Sequence, residues 1–205
     1  LSGVELRCLA NVLQDQGKYA NIILNADIHL ANMHSMGLTS RDQAKTAIYC
    51  MIYGGGDARL GEVVGKGAAE GRTLRNNFMK ANPAFADLVR QLKQVVTKRG
   101  RLVGLDGRKL AVRGHAQLNV LLQSAAALLS KKWVELIDTE IATQGIDAEI
   151  IAWVHDEVQI KVRKGDEENV GHITGRMAEE AGKFFKFKIP IESEFNIGRN
   201  WAETH

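Results

Sequence analysis

Two β-rich apolar runs joined through a pair of adjacent acids, over residues 148–162, constrain this chain more than any other stretch. Residues 148–154 (Ala-Glu-Ile-Ile-Ala-Trp-Val) are nearly all apolar or β-branched, which predicts a buried strand. Residues 158–162 (Val-Gln-Ile-Lys-Val) alternate apolar and polar, which predicts a half-buried one. Joined as a hairpin, the pair carries Asp156 and Glu157 at its tip, with His155 just before them. Adjacent carboxylates repel each other, and burying them unpaired beside apolar strands is costly. A divalent cation relieves both penalties, and carboxylate oxygens suit a hard ion such as Mg²⁺. An ordinary solvated turn accounts for the same residues without an ion.

The second informative stretch is residues 40–56. Ser40-Arg41-Asp42-Gln43 has the pattern of a capping box, and Gly54-Gly55-Gly56 supplies a helix stop. Within this helix Arg41, Lys45, Tyr49 and Tyr53 recur every four residues and form one slowly turning stripe. Two cations in the first turns repel each other and oppose the helix dipole. A bound anion such as a triphosphate reverses that cost, and the two tyrosines offer a stacking surface for a base. The bland alternative is a solvated basic turn followed by core tyrosines.

The remaining periodicity predicts helices over residues 5–13, 19–24, 28–36, 60–79, 85–98, 117–142 and 166–184, with Asp27 as the cap of the third. His29 and His34 lie about 140° apart on such a helix and make a poor metal pair. Residues 101–112 predict a hairpin turning at Asp106-Gly107, with Arg108 just beyond it, and residues 189–195 predict a strand. Asn119 and Gln123 place two amides one turn apart on a largely apolar helix, where donors facing a nucleic-acid minor groove would be satisfied; taken by itself, the pair favours solvent exposure or internal partners. Residues 196–205 predict an irregular tail.

Composition narrows the class. Hydrophobic residues make up 45% of the 205 and charged residues 25%, enough for a real core. No apolar run reaches membrane-spanning length, so no membrane partner is expected. The net charge of +3 suits a polyanionic partner without requiring one. Two cysteines, Cys8 and Cys50, make neither a disulfide framework nor a zinc site and read as buried free thiols in an intracellular protein. No Walker or dinucleotide glycine motif is present.

Taken in order, these stretches resemble the family A (Pol I-like) DNA polymerases, most of all the shorter replicative enzymes of T-odd phages. Ser2-Gly3-Val4-Glu5-Leu6-Arg7 is similar to the body of motif A. The Arg41, Lys45, Tyr49, Tyr53-Gly54 series is similar to motif B, and Val154-His155-Asp156-Glu157 to motif C. Asp27-Ile28-His29, the Asn119/Gln123 pair and the tail Asn200-Trp201-Ala202-Glu203-Thr204-His205 also match family patterns. The resemblance implies an α+β fold: a right-hand palm, in which helices pack on an antiparallel sheet, plus an all-helical fingers subdomain. Residues 1–16 and 100–205 would be palm, and residues 17–99 fingers. The aspartate that opens motif A would precede Leu1, so the chain reads as the part of a polymerase downstream of it, without thumb or exonuclease-like domain.

The implied chemistry is templated transfer of a deoxynucleotide to a primer 3′-hydroxyl with two Mg²⁺ ions, Mn²⁺ able to substitute. By the resemblance, Asp156 and the Leu1 backbone carbonyl are metal ligands and Glu157 assists. Arg41, Lys45 and His29 hold the triphosphate, and Lys45 protonates the departing pyrophosphate. Tyr49 stacks near the incoming base and sugar, as in members that tolerate dideoxynucleotides. Tyr53 stacks at the templating position, and Glu5 excludes a ribose hydroxyl. Asn119, Gln123, His155 and Arg108 contact primer–template DNA. The implied partners are DNA, deoxynucleoside triphosphates and an upstream polymerase segment, in a bacterial or phage-infected bacterial cytoplasm. Competing readings are a truncated module that only binds primer–template or nucleotide, a single-subunit RNA polymerase, and a nuclease.

Overall fold

The computed structural model describes residues 1–204; His205, the last residue of the matched tail, lies outside the described residues. The elements run α1 (Val4–Val12), α2 (Lys18–Asn25), α3 (Ile28–Met36), α4 (Arg41–Ile52), α5 (Asp57–Glu62), α6 (Ala68–Ala81), α7 (Pro83–Arg99), β1 (Arg101–Val103), β2 (Lys109–Ala111), α8 (Gln117–Gln144), β3 (Ala148–Val154), β4 (Glu157–Val162), α9 (Glu167–Phe184) and α10 (Trp201–Thr204). They divide into two compact units, one of residues 1–11 with residues from 124 onward, the other of residues 12–123.

The central unit, residues 12–123, is helical apart from one short hairpin. Its helices start and stop where side-chain chemistry dictates. The Asp27 carboxylate accepts from the His29 and Leu30 amides at the start of α3, Ser40 Oγ accepts from the Gln43 amide at the start of α4, and Pro83 opens α7. One face of α4 (Ala44, Ala47, Ile48, Met51, Ile52) is buried, so its other face must point outward. The continuous helix expected over residues 60–79 is instead two, α5 and α6, separated by residues 63–67. The break follows from close packing: a Cβ on Gly71 would lie 1.9 Å from the Asp57 carbonyl oxygen, so the helices approach through bare backbone. Strands β1 and β2 pair antiparallel, Leu102 opposite Leu110, as the Asp-Gly turn predicts. Residues 100–123 group with this unit. Strand β1 packs on α7, and the His115 carbonyl abuts Gly54.

In the other unit β3 and β4 form a two-stranded antiparallel sheet from Ala148↔Val162 to Val154↔Glu157. A register shift between Ile150 and Ala152 leaves Ile151 as a bulge. The strand expected to be buried is not: Ile151 is 62% exposed, Trp153 43% and Val154 42%. This sheet has no third strand among the described residues, so the outer edge of β3 has no strand beside it. Residues 189–195, expected to be a strand, form none and pair with no strand among the described residues. They lie along α9, where Gly171 faces the Phe195 ring and Gly182 faces Ile191, each too close for a Cβ. Pro190, which has no N–H to give a ladder, is the second residue of this segment. The tail, expected to be irregular, closes in the short helix α10.

Helices α8 and α9 are tied by the Trp133 indole, which donates to the Thr174 carbonyl at 2.8 Å. Arg7, only 7% exposed, joins α1 to the extended segment by donating to the Ser2 and Pro190 carbonyls and to Glu192. Cys8 is buried, and burial pushes its thiol up to about 12. Cys50 is half-buried rather than buried as expected. No helix among the described residues is long and apolar enough to cross a membrane.

Candidate functional site

The acidic turn occupies a two-residue connection. His155 and Asp156 form the bend and Glu157 is the first residue of β4, opposite Val154. His155 takes φ of 56°, a left-handed conformation rare for a residue with a side chain. The Trp153 indole donates to the His155 carbonyl at 2.8 Å and braces it. His155 is exposed, and Asp156 and Glu157 are half-buried. The Leu1 nitrogen donates to the Asp156 backbone carbonyl, so the motif A stretch and the acidic turn meet although 155 positions separate them. The charges of Asp156, Glu157, Glu194 and Glu5 all act at this point. That field favours cations. Glu5 is half-buried in the first turn of α1. A cavity of about 870 Å³ borders the turn, with Leu1, Asp156, Glu157, Phe195 and Trp201 in its wall.

The hard carboxylate oxygens of Asp156 and Glu157 have the chemistry Mg²⁺ needs. Their number falls short, since no group of three or more His, Cys, Asp or Glu placed to hold a metal occurs among the described residues. Glu157 Oε1 moreover accepts from Gln159 Nε2 at 2.7 Å and from the Trp201 indole at 2.9 Å. The residues present fit a contribution to a Mg²⁺ site, not the whole of one. Sequence reasoning missed both donors. Gln159 was findable, because residues two apart on a strand share a side. Trp201, 44 positions away, gave no local signal.

In the central unit the stripe on α4 is present as read. Arg41, Lys45 and Tyr53 are exposed and Tyr49 is half-buried; at four-residue spacing the series turns about 40° per step, from beside the buried face at Arg41 to opposite it at Tyr53. The Tyr49 and Tyr53 rings are 6.0 Å apart, and His29 approaches Tyr49 at 6.4 Å. Arg41 donates to Asp27 at 2.7 Å, which holds the Asp27 carboxyl below its usual range. The uncompensated charge inferred from sequence is therefore partly neutralised at Arg41, by the same carboxylate that caps α3. Lys45 makes no ion pair among the described residues. Beyond the stripe, Arg75 donates to Asp57 at 2.8 Å and to the Gly55 carbonyl at 2.6 Å, pinning the glycine turn that follows Tyr53.

His29 Nδ1 and Asn119 Oδ1 are buried atoms without a hydrogen-bond partner among the described residues, an arrangement that calls for an explanation. Gln123, one turn on from Asn119, is exposed. Arg108 is exposed and held within its own turn by Asp106 at 2.6 Å. His29 titrates below its ordinary value of 6.5, first because of burial, then because Arg41 and Lys45 repel a proton there, with Asp27 opposing. The folded chain thus takes up this proton less readily than the unfolded one. Its contribution to stability is full above about pH 6.5 and is lost as pH falls toward the lower folded value. Urea unfolding should show His29→Asn losing less stability than the parent between about pH 7 and pH 5. An equal loss in both would assign the pH dependence to other groups.

Comparisons with known proteins add to this geometry. The sequence model of the family described as DNA polymerase family A matches residues 1–203. The DNA-directed DNA polymerases of Enterobacteria phage T3 and Escherichia phage T7 are each 38% identical to the chain along an alignment 231 positions long, covering 100% of it and 32% of themselves. DNA polymerase I of Aquifex aeolicus is 30% identical over 80% of the chain and 30% of its own length. The chain thus spans about a third of the length of these relatives. The solved POL domain of Pol1 from M. smegmatis, in complex with DNA primer-template and dNTP, superposes with a TM-score of 0.86 at 20% identity, over 98% of the chain and 39% of that structure. At that identity the likeness speaks for the fold, a polymerase fold of helices and small antiparallel sheets.

Proposed function

This chain belongs to DNA polymerase family A, and from that premise we propose that it carries the nucleotide-binding and part of the metal-binding machinery of a DNA-directed DNA polymerase. The observation that supports this best is the slowly turning stripe of Arg41, Lys45, Tyr49 and Tyr53 with His29 beside Tyr49, cationic at one end and aromatic at the other. A deoxynucleoside triphosphate has that polarity, with phosphates at one end and a base at the other. In this reading residues 17–99 correspond to fingers, and residues 1–16 and 100–205 to palm. Arg41, Lys45 and His29 hold the phosphates, the orphaned His29 Nδ1 gaining a partner. Lys45, without an ion pair among the described residues, gives a proton to the departing pyrophosphate. Tyr49 packs against the incoming base and sugar, Tyr53 faces the templating base, and Glu5 excludes a 2′-hydroxyl. Asn119, Gln123, His155 and Arg108 contact primer–template. The setting is the cytoplasm of a bacterium or an infected bacterial host.

Asp156 and the Leu1 carbonyl would hold Mg²⁺, or Mn²⁺ in its place, with Glu157 alongside and further carboxylates from an upstream segment. The bound ions supply activation of the 3′-hydroxyl and stabilisation of the leaving oxygens. The exposed apolar run of β3 offers that segment a place to pair. The short donor set favours a second reading for the chain by itself, a module that binds nucleotide or primer–template without turning over.

Titration with a fluorescent deoxynucleoside triphosphate tests the nucleotide assignment. Lys45→Ala removes an uncompensated charge from the phosphate end and should weaken binding about 10- to 100-fold. Unchanged affinity would remove α4 from the nucleotide site.

A further inference from the structure

Glu157 is held by more than its own hairpin. Gln159, two residues along β4, donates from Nε2 to Glu157 Oε1 at 2.7 Å, and the Trp201 indole donates to the same oxygen at 2.9 Å. Thr204 Oγ1, one turn after Trp201, donates to Gln159 Oε1 at 3.1 Å. The Gln159 carbonyl therefore faces α10 and its NH₂ faces Glu157, so the amide has one orientation that serves both neighbours. The α10 turn is anchored in turn by Glu203, which accepts from the Arg199 backbone amide at 2.8 Å and from Asn200 Nδ2 at 2.9 Å. Trp201 itself is 45% exposed, and its indole N–H is directed at the Glu157 carboxylate.

We propose that Trp201 is a positioning residue for Glu157: its indole N–H, with the Gln159 amide, fixes the carboxylate beside Asp156 and couples α10 to the acidic turn. The inference rests on the polymerase reading for its catalytic consequence, but not for the coupling itself. A glutamate side chain has three free torsions, and two donors on one oxygen remove most of that freedom. With Oε1 saturated, Glu157 acts as a fixed charge next to Asp156 rather than as a swinging ligand.

The three tryptophans make the coupling directly observable. Trp133 donates to the Thr174 carbonyl and Trp153 to the His155 carbonyl, both backbone acceptors, whereas Trp201 donates to a side chain. In ¹⁵N-labelled chain, assigned with Trp201→Phe, Glu157→Ala should move the Trp201 indole signal and speed its hydrogen exchange roughly 10-fold or more, leaving those of Trp133 and Trp153 in place. If Glu157→Ala perturbs all three through loss of fold, the near-isosteric Glu157→Gln gives the same reading on a smaller scale. An unmoved Trp201 signal in a folded variant overturns the proposal. In a polymerase comprising this chain and its upstream segment, Trp201→Phe should lower kcat about 10-fold or more while KM for the nucleotide holds. An unchanged kcat, or a loss carried by KM alone, overturns the positioning role. Failure of the polymerase reading looks different: the unsubstituted protein then extends no primer, whatever the indole signals do.

Discussion

Replacing Asp156 with alanine should abolish primer extension in a polymerase that contains this chain, with a fall in kcat of at least about a thousandfold. Asp156 lies at the bend of the acidic hairpin, with the Leu1 nitrogen on its backbone carbonyl and the charges of Glu157, Glu194 and Glu5 acting on the same point. Its side chain supports no described ion pair, so its removal should cost the fold little. The strand register and the Val154↔Glu157 closure do not depend on it, and the strained backbone angle of the turn belongs to His155. Affinity for primer–template should therefore survive, measured by fluorescence anisotropy beside the extension assay. Asp156→Asn keeps the shape and loses the charge and should be nearly as inactive. Retained extension in either variant would remove the acidic turn from the chemistry.

Arg7→Ala should be the most destabilising single substitution of a polar residue, by about 2–4 kcal/mol in urea unfolding. The Arg7 side chain is 7% exposed, and its planar fork satisfies the Ser2 carbonyl, the Pro190 carbonyl and the Glu192 carboxylate together. Removing it leaves two backbone oxygens short of a donor and unties α1 from residues 189–195. Glu192 is 49% exposed and can recover water, which keeps the expected cost below that of a fully buried pair. Arg7→Lys keeps the charge without the fork and should recover only part of the loss. A change within about 0.5 kcal/mol for Arg7→Ala would mean that the extended segment is held by its buried isoleucines, Ile189 and Ile191, instead.

What could be read in advance follows from the range of the interactions. Helices α3 and α4 were legible because their caps, their apolar period and their glycine stops all lie within a few residues. The stripe on α4 was legible for the same reason, since a four-residue spacing fixes a helix face without knowledge of the rest of the chain. The pairing of Arg41 with Asp27, 14 positions back, was not, and it alters the electrostatics of that stripe. Arg7 looks like a solvated helix residue until Pro190 and Glu192 arrive from the far end of the chain. Residues 189–195 alternate like a strand, yet they pack on a helix, and only the bare Gly171 and Gly182 of α9 hint at it. Residues 148–154 have the composition of a buried strand, but burial needs a partner, and β3 has only β4 among the described residues. The gap between α5 and α6 could have been seen in Gly61, Gly65 and Gly67; the apolar periodicity on either side concealed it.

Template-directed single-nucleotide extension in Mg²⁺, by this chain combined with a separately produced upstream segment of a family A polymerase, tests the central claim most directly. Incorporation of only the nucleotide complementary to the template, by the mixture and by neither part alone, is the expected result. No extension by the mixture despite tight binding of primer–template and nucleotide, or incorporation indifferent to the template base, would contradict it.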